Sequence, residues 1–455
     1  MTAILSTDRP RLASELVATV SLALPLVLGQ LSTIGMNLID TVLAGHLDAH
    51  TLGAVALGSN VWVLAIITIV GTMMSLQPSI AQMRGAGRDS EIGPLFRQAL
   101  WLAVPLGIGL GLLTAFVAPR LFGGIGVDAE LIADASAFLR AIAWGAPALA
   151  VFYVLRGLSE GLGLTRPTMY FSLLGLGLLG PLGYVFMYGA FGMPHLGAMG
   201  CGLATAIVLW VQCLAFATYV ARRARYRDLH LLARFDPPHA SAIAGLLRIG
   251  GPIAVTLMME AGLFVAVALT IGKLGTEIIA SHQIAINIAS VAFMVPLGIA
   301  MATTVRVGHA RGRGDGHGVR QAGIVGLGLT LAVQIVSATV LFTLPHHIAA
   351  MYTSDMSVVG LAAQLLVLAA IFQLSDGIQA ASNGALRGLK DTRVPMLISG
   401  FAYWMIGMPA GWWLAFHLEF GARGMWMGLI AGLSVAAVLL TMRFWRLANA
   451  LPART

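Results

Sequence analysis

The chain has 455 residues, of which 58% are hydrophobic and only 10% are charged. A soluble domain carries roughly 25% charged residues, so this composition excludes a water-facing surface and leaves lipid as the solvent. Two cysteines, Cys201 and Cys213, exclude a disulfide framework and a CxxC metal motif, and the formal charge of +8 fits basic cytoplasmic loops better than a nucleic-acid partner.

The opening segment, MTAILSTDRPRLASEL, is too polar to read as a cleaved signal peptide. Apolar runs long enough to cross a hydrocarbon core of ~30 Å as helices follow near 16–39, 52–76, 95–117, 132–155, 168–190, 198–221, 243–271, 279–303, 321–343, 357–385, 394–417 and 424–447. The runs are continuous and do not alternate, which favours helices over a barrel. In this segmentation 23 Lys and Arg fall on one side of the membrane and three (Arg120, Lys273 and Arg423) on the other, with Arg140 inside a span. The bias places both termini in the cytoplasm of a multi-pass inner-membrane protein. The 54 glycines suit close helix packing in lipid.

The chain repeats itself with a shift near 227 residues. Pro25 matches Pro252, Gly45-x-Leu47 matches Gly272-x-Leu274, and Asn60 matches Asn287. Arg84-Gly85-x-Gly87 returns as Arg311-Gly312-x-Gly314, and Arg97-Gln98-Ala99 as Arg320-Gln321-Ala322. Leu155-Arg156-Gly157-Leu158 returns as Leu386-Arg387-Gly388-Leu389. The expected architecture is an all-α membrane protein with twelve transmembrane helices in two six-helix lobes, 1–228 and 229–455, related by a pseudo-twofold axis, with Tyr219–His239 as a basic linker. Pro25 and Pro252 interrupt the first helix of each half, as a bend used in transport or as a fixed packing kink.

Three carboxylates fall within spans, where charge is costly and marks function by default: Asp40, Glu260 and Asp376. Glu260 sits roughly 16 Å into its helix. None is shared between the repeats, which sets them apart from the common scaffold. Arg140 reads as the only base inside a span, paired with Asp134 or snorkelling, so at most one acid has a buried partner. Glu260 and Asp376 suit a proton or a Na+ ion, with Gln283, Asn287 and Ser375 as neighbouring polar groups. Phe264, four residues after Glu260, together with Phe293 and Phe372, offers ring faces to an organic cation. Asp355 is a gate residue or a helix cap. Pro345-His346-His347 reads as solvated loop. No HExxH, GxSxG or nucleotide motif is present, so no enzyme activity and no cofactor are expected, and energy comes from an ion gradient.

The segments PLVLGQLSTIGMNLIDTVLAGHL, GGPIAVTLMMEAGLF and LSDGIQAASNGALRGLKDTRVPM resemble the multidrug and toxic compound extrusion (MATE) family, in its NorM-like bacterial branch, and the likeness covers nearly the whole chain. The resemblance implies an antiporter that exports lipophilic organic cations and other drugs from the cytoplasm by alternating access, in exchange for Na+ or H+. It implies that Glu260 and Asp376 bind the coupling cation, as metal ligands if that ion is Na+. Asp40 corresponds to the family's first-span acid, in contact with cation or substrate. Phe264, Gln283, Phe293 and Asp355 match positions expected to line the drug cavity. Sodium-using relatives tend to carry a tyrosine where this chain has Phe372, which leaves H+ open as the coupling ion. The partners expected are the lipid bilayer and small cationic drugs, with the chain working as a monomer. The alternative is a lipid-linked saccharide flippase of the same superfamily, which an acidic cavity disfavours.

Overall fold

The computed structural model describes residues 9–122 and 129–452. Arg454 and the side chains of Arg9 and Arg11, which entered the count of basic residues, lie outside the described residues. Every regular element in the described residues is helical. Eleven helices are long and apolar enough to cross a membrane: α1 (Leu12–Leu47), α2 (Ala49–Gly85), α3 (Asp89–Arg120), α5 (Arg166–Tyr188), α6 (Gly197–Arg222), α7 (Ala240–Gly272), α8 (Thr276–Gly312), α9 (Gly316–Thr343), α10 (Met356–Gly388), α11 (Arg393–Phe416) and α12 (Gly421–Asn449). The remaining span, α4, is a bent pair, Ala129–Ala143 and Ala146–Gly161, with 44° between its parts. Twelve spans result, as the apolar runs predict.

The bend in α4 has a local cause. Pro147 stands at the start of its second part and lacks the N–H that would continue the first. The freed backbone lies against Gly107 and Gly111 of α3, where a Cβ would collide with Pro147 and with the Ala143 carbonyl. A second glycine seam joins α11 to α12, with Gly407 and Gly411 facing Gly428 and Gly432 at backbone contact. Small residues every fourth position allow this approach. The outward faces remain apolar, with Val17, Leu38, Leu269 and Val336 all more than half exposed, as lipid-facing side chains should be.

The chain divides into two compact units, residues 28–254 and residues 1–27 with 255–455. These boundaries differ from the repeat boundary at 228/229 and fall two residues after Pro25 and Pro252. The start of α1 packs into the unit built mostly of the second repeat: Ala23 and Leu26 join Ile299 and Ala302, and Glu15 is ion-paired with Arg306. The start of α7 packs in the other unit, with Gly250 against the Thr72 backbone. The core of the 28–254 unit centres on Trp62, Phe138, Phe152 and Phe216, and that of its counterpart on Phe372, Tyr403, Trp426 and Phe444.

The linker is strapped to the 28–254 unit by the first copy of the repeated Arg-Gln pair. Arg97 Nε donates to Asp236 Oδ2 at 2.7 Å, and its Nη1 donates to the carbonyls of His230 and Leu231 at 2.9 and 3.0 Å. Gln98 donates to the Pro237 carbonyl at 2.9 Å and accepts from His239 N at 2.7 Å. The hydrogen bond from Arg97 holds the Asp236 carboxyl below its usual range, with Arg234 adding to the effect. A carboxylate lowered in the folded state contributes stability above its unfolded pKa of about 3.9 and loses it as pH falls through the lower folded value. Protection of the amides across 228–239, relative to their intrinsic exchange, should therefore be high at neutral pH and fall below about pH 4. Asp236→Asn should show low protection at both.

Candidate functional site

Two of the sequence-predicted acids come together in the unit formed by residues 1–27 and 255–455. Glu260 on α7 and Asp376 on α10 lie within electrostatic reach of each other. Asp376 is 4% exposed, and its Oδ1 is buried without a hydrogen-bond partner among the described residues. Glu260 is half-buried. Tyr403 lies within electrostatic reach of both acids and is fully buried. It sits in a π-helical turn of α11, Phe401–Gly407, a local widening often found at functional sites. Its hydroxyl accepts from Gln379 Nε2 at 2.5 Å, which leaves Gln379 Oε1 buried and unpaired. Gln379 stands about one turn beyond Asp376 on α10. Sequence reasoning missed both residues. The spacing of Gln379 from Asp376 was visible, whereas Tyr403 lies in an aromatic, apolar run that gives no signal.

This arrangement offers two carboxylates, an amide oxygen and a phenol oxygen, with Arg387 within electrostatic reach of Glu260 and Tyr403. An unpaired buried carboxylate oxygen costs free energy until a proton or a cation meets it. Hard oxygen donors suit H+ or a small hard cation. Among the described residues no group of three or more His, Cys, Asp or Glu exists to hold a transition metal.

Other expected contributors are placed differently. Ser375 bonds Ser434 at 2.7 Å, so its hydroxyl is engaged away from the acids. Phe264 meets Phe372 edge to face at 6.2 Å, and Phe372 packs on Trp426 at 5.6 Å as a core ring, 2% exposed. Gln283 and Asn287 are exposed on α8, and Phe293 is half-buried there. Among the described residues none of these three is in hydrogen-bond or ring contact with Glu260 or Asp376. Asp355 caps α10, its Oδ1 accepting from the hydroxyl and backbone N–H of Ser357 at 2.8 and 2.9 Å. Those bonds hold its carboxyl below the usual range. It stands about 30 Å along the helix from Asp376.

The expectation about buried bases is overturned. Arg140 is exposed, and Asp134 pairs with His50 at 3.3 Å. Among the described residues Arg156 on α4, 3% exposed, and Arg97 on α3, 8% exposed, are buried, and Arg387 occupies the last turn of α10. Arg156 and Arg387 fall just outside the apolar runs 132–155 and 357–385, because the helices continue past those runs to Gly161 and Gly388. The signal was present in the repeated Leu-Arg-Gly-Leu.

Asp40 belongs to a separate cavity inside the 28–254 unit, of about 240 Å³, lined among others by Thr33, Asn37, Trp62, Tyr153 and Arg156. Asp40 Oδ2 accepts from Thr205 Oγ1 at 3.3 Å, the Cys201 thiol is a second partner, and Oδ1 is buried and unpaired. At the other wall Arg156 is neutralised by Glu160 at 2.6 Å and donates to Gln30 at 3.0 Å. Glu160 also accepts from Gln77 at 2.9 Å. The carboxyl in the cavity that has no arginine partner is that of Asp40.

Comparison with known proteins bears on the family and the fold. The MatE family model matches residues 25–185 and again 252–413, once per repeat. A probable multidrug resistance protein NorM of Xanthomonas campestris pv. campestris is 49% identical over 436 residues, covering 96% of this chain and 95% of that protein. The multidrug resistance protein PmpM of Pseudomonas aeruginosa is 41% identical over 443 residues, covering 96% and 93%. The chain superposes on an outward-facing multidrug resistance MATE transporter with a TM-score of 0.88 at 22% identity, covering 96% of each. It superposes on the eukaryotic MATE transporter AtDTX14 at 0.86 and 20%, covering 96% and 98%.

Proposed function

The chain belongs to the MatE family, a multi-pass membrane protein of the multidrug-transporter type, and from that premise we propose that it exports lipophilic organic cations from the cytoplasm in exchange for Na+ or H+. The observation that carries the proposal is the pair Glu260 and Asp376, with Asp376 Oδ1 buried and unpaired. A drug cation and a coupling cation compete for the same negative charge. Arrival of the coupling ion neutralises the pair and releases the drug. Two lobes that open alternately to either side of the inner membrane, with both termini cytoplasmic, would make the exchange directional. The membrane potential adds ~2.3 kcal/mol per elementary charge per 100 mV to inward movement of the coupling ion.

Asp40 has a different task in this reading. Its cavity carries one uncompensated negative charge among Trp62, Tyr153 and apolar side chains, a lining that suits a flat organic cation. Phe264, Gln283, Phe293 and Asp355 remain proposed substrate contacts at different depths. Asp40→Asn should lower export of a monocationic dye about tenfold, the order expected for one charge in a partly screened site. Export of a neutral drug by the same variant should change little.

The direct test uses proteoliposomes loaded with a fluorescent lipophilic cation under an imposed inward Na+ or pH gradient. Dye efflux should accelerate under one of the two gradients and identify the ion. Efflux indifferent to both would refute ion-coupled exchange.

A further inference from the structure

The repeated Leu-Arg-Gly-Leu segment carries an acid four residues beyond its arginine in both copies, Glu160 after Arg156 and Asp391 after Arg387. The two copies use it differently. In the first, α4 stays helical through Gly161, so Glu160 returns one turn later on the same face and closes on Arg156 at 2.6 Å. In the second, α10 ends at Gly388, and Lys390 takes a left-handed backbone with φ of 61°. Asp391 is thereby turned out of the helix and pairs with Arg443 on α12 at 2.8 Å. Among the described residues Arg387 is left without a salt bridge, and the carboxylate within its electrostatic reach is Glu260.

Helix geometry aligns these groups. Arg387 follows Asp376 by about eleven residues, which is three turns, so both point from one face of α10 at roughly 16 Å separation. Glu260 on α7 interacts with both. Arg387 stands in the last turn of α10, at the end that leads into the basic loop. We propose that Arg387 is a resident counter-cation of the acid pair. It holds Glu260 when no transported cation is bound and yields it when one arrives. The inference rests on the exchange reading above, and it assigns the ion-free state its own positive charge. Arg387 thus lowers cation affinity to a level at which release is fast, so the two acids never bind a cation irreversibly. The first repeat has no such device, because Glu160 has already neutralised Arg156.

The test is equilibrium binding of tetraphenylphosphonium, a lipophilic cation, to purified wild type, Arg387→Gln and Arg387→Lys. Arg387→Gln should bind it about tenfold tighter, as removal of one nearby positive charge requires, and should release it correspondingly slowly. Arg387→Lys should return to the wild-type affinity, since charge and not shape is at issue. Unchanged or weaker binding by Arg387→Gln would overturn the inference, as would a lysine variant that behaves like glutamine. If Arg387→Gln does not accumulate, Arg387→Cys labelled with a cationic or an uncharged methanethiosulfonate of similar size makes the same comparison, and equal affinities for the two adducts would overturn it. Failure of the wild type to bind or expel tetraphenylphosphonium would instead refute the exchange reading itself.

Discussion

Replacing Glu260 by Gln is expected to abolish gradient-driven export while the protein still reaches the membrane in normal amount. The substitution keeps the volume of the side chain and removes only its charge. Between α7 and α10, that charge acts on a second carboxylate whose Oδ1 has no protein donor among the described residues. A single remaining acid neither attracts a cation against its dehydration cost nor changes state when an ion arrives. Asp376→Asn should do the same, and the double variant should be no worse than either single one, because the two acids act as a unit. Export should fall to the level of empty vesicles, and the thermal stability of Asp376→Asn should hold or rise, since the like charge beside Glu260 is removed, whereas Glu260→Gln, which leaves Arg387 without its carboxylate, should melt somewhat lower. Vesicle dye efflux and a detergent melting curve on the same preparations measure both.

The second large effect concerns stability. Arg156 and Glu160 have side chains 4% and 2% exposed, and they anchor Gln30 on α1, Gln77 on α2 and the Tyr153 ring, with the Arg156 guanidinium 5.4 Å from its centroid. Breaking such a pair from one side leaves an uncompensated charge in an apolar interior and costs about 3–5 kcal/mol. Glu160→Gln or Arg156→Leu should therefore lower Tm by roughly 10 °C. A double change to Arg156→Leu with Glu160→Leu should recover most of the loss, because no lone charge remains. The contrast with Glu260 separates the two buried ionic clusters: one is expected to matter for folding and the other for transport.

Much of the fold was legible because lipid imposes a simple rule. Each span must satisfy its own backbone, so twelve apolar runs become twelve helical crossings. Helix ends were less legible, since polar residues at the membrane surface continue a helix without marking it. That is why Arg156 and Arg387 read as loop residues, although the duplicated motif around them was plain. The break in α4 was also hidden, because Pro147 sits inside an apolar run and its effect depends on the glycines of α3 that receive it. Among the candidate site residues, burial in a span singled out Glu260, Asp376 and Asp40 from chemistry alone. Tyr403 and Gln379 became visible only once α11 was packed beside α10. The same holds for His50, which takes Asp134 away from Arg140 through a contact that no local pattern announces.

The central claim is that an inorganic cation and an organic cation exchange on the same two carboxylates. The most direct measurement records ion movement driven by drug, in proteoliposomes with no imposed ion gradient. An outward gradient of tetraphenylphosphonium should draw Na+ or H+ inward through the wild type and through neither Glu260→Gln nor Asp376→Asn. Drug movement unaccompanied by either ion, or ion movement that persists in both variants, would contradict it.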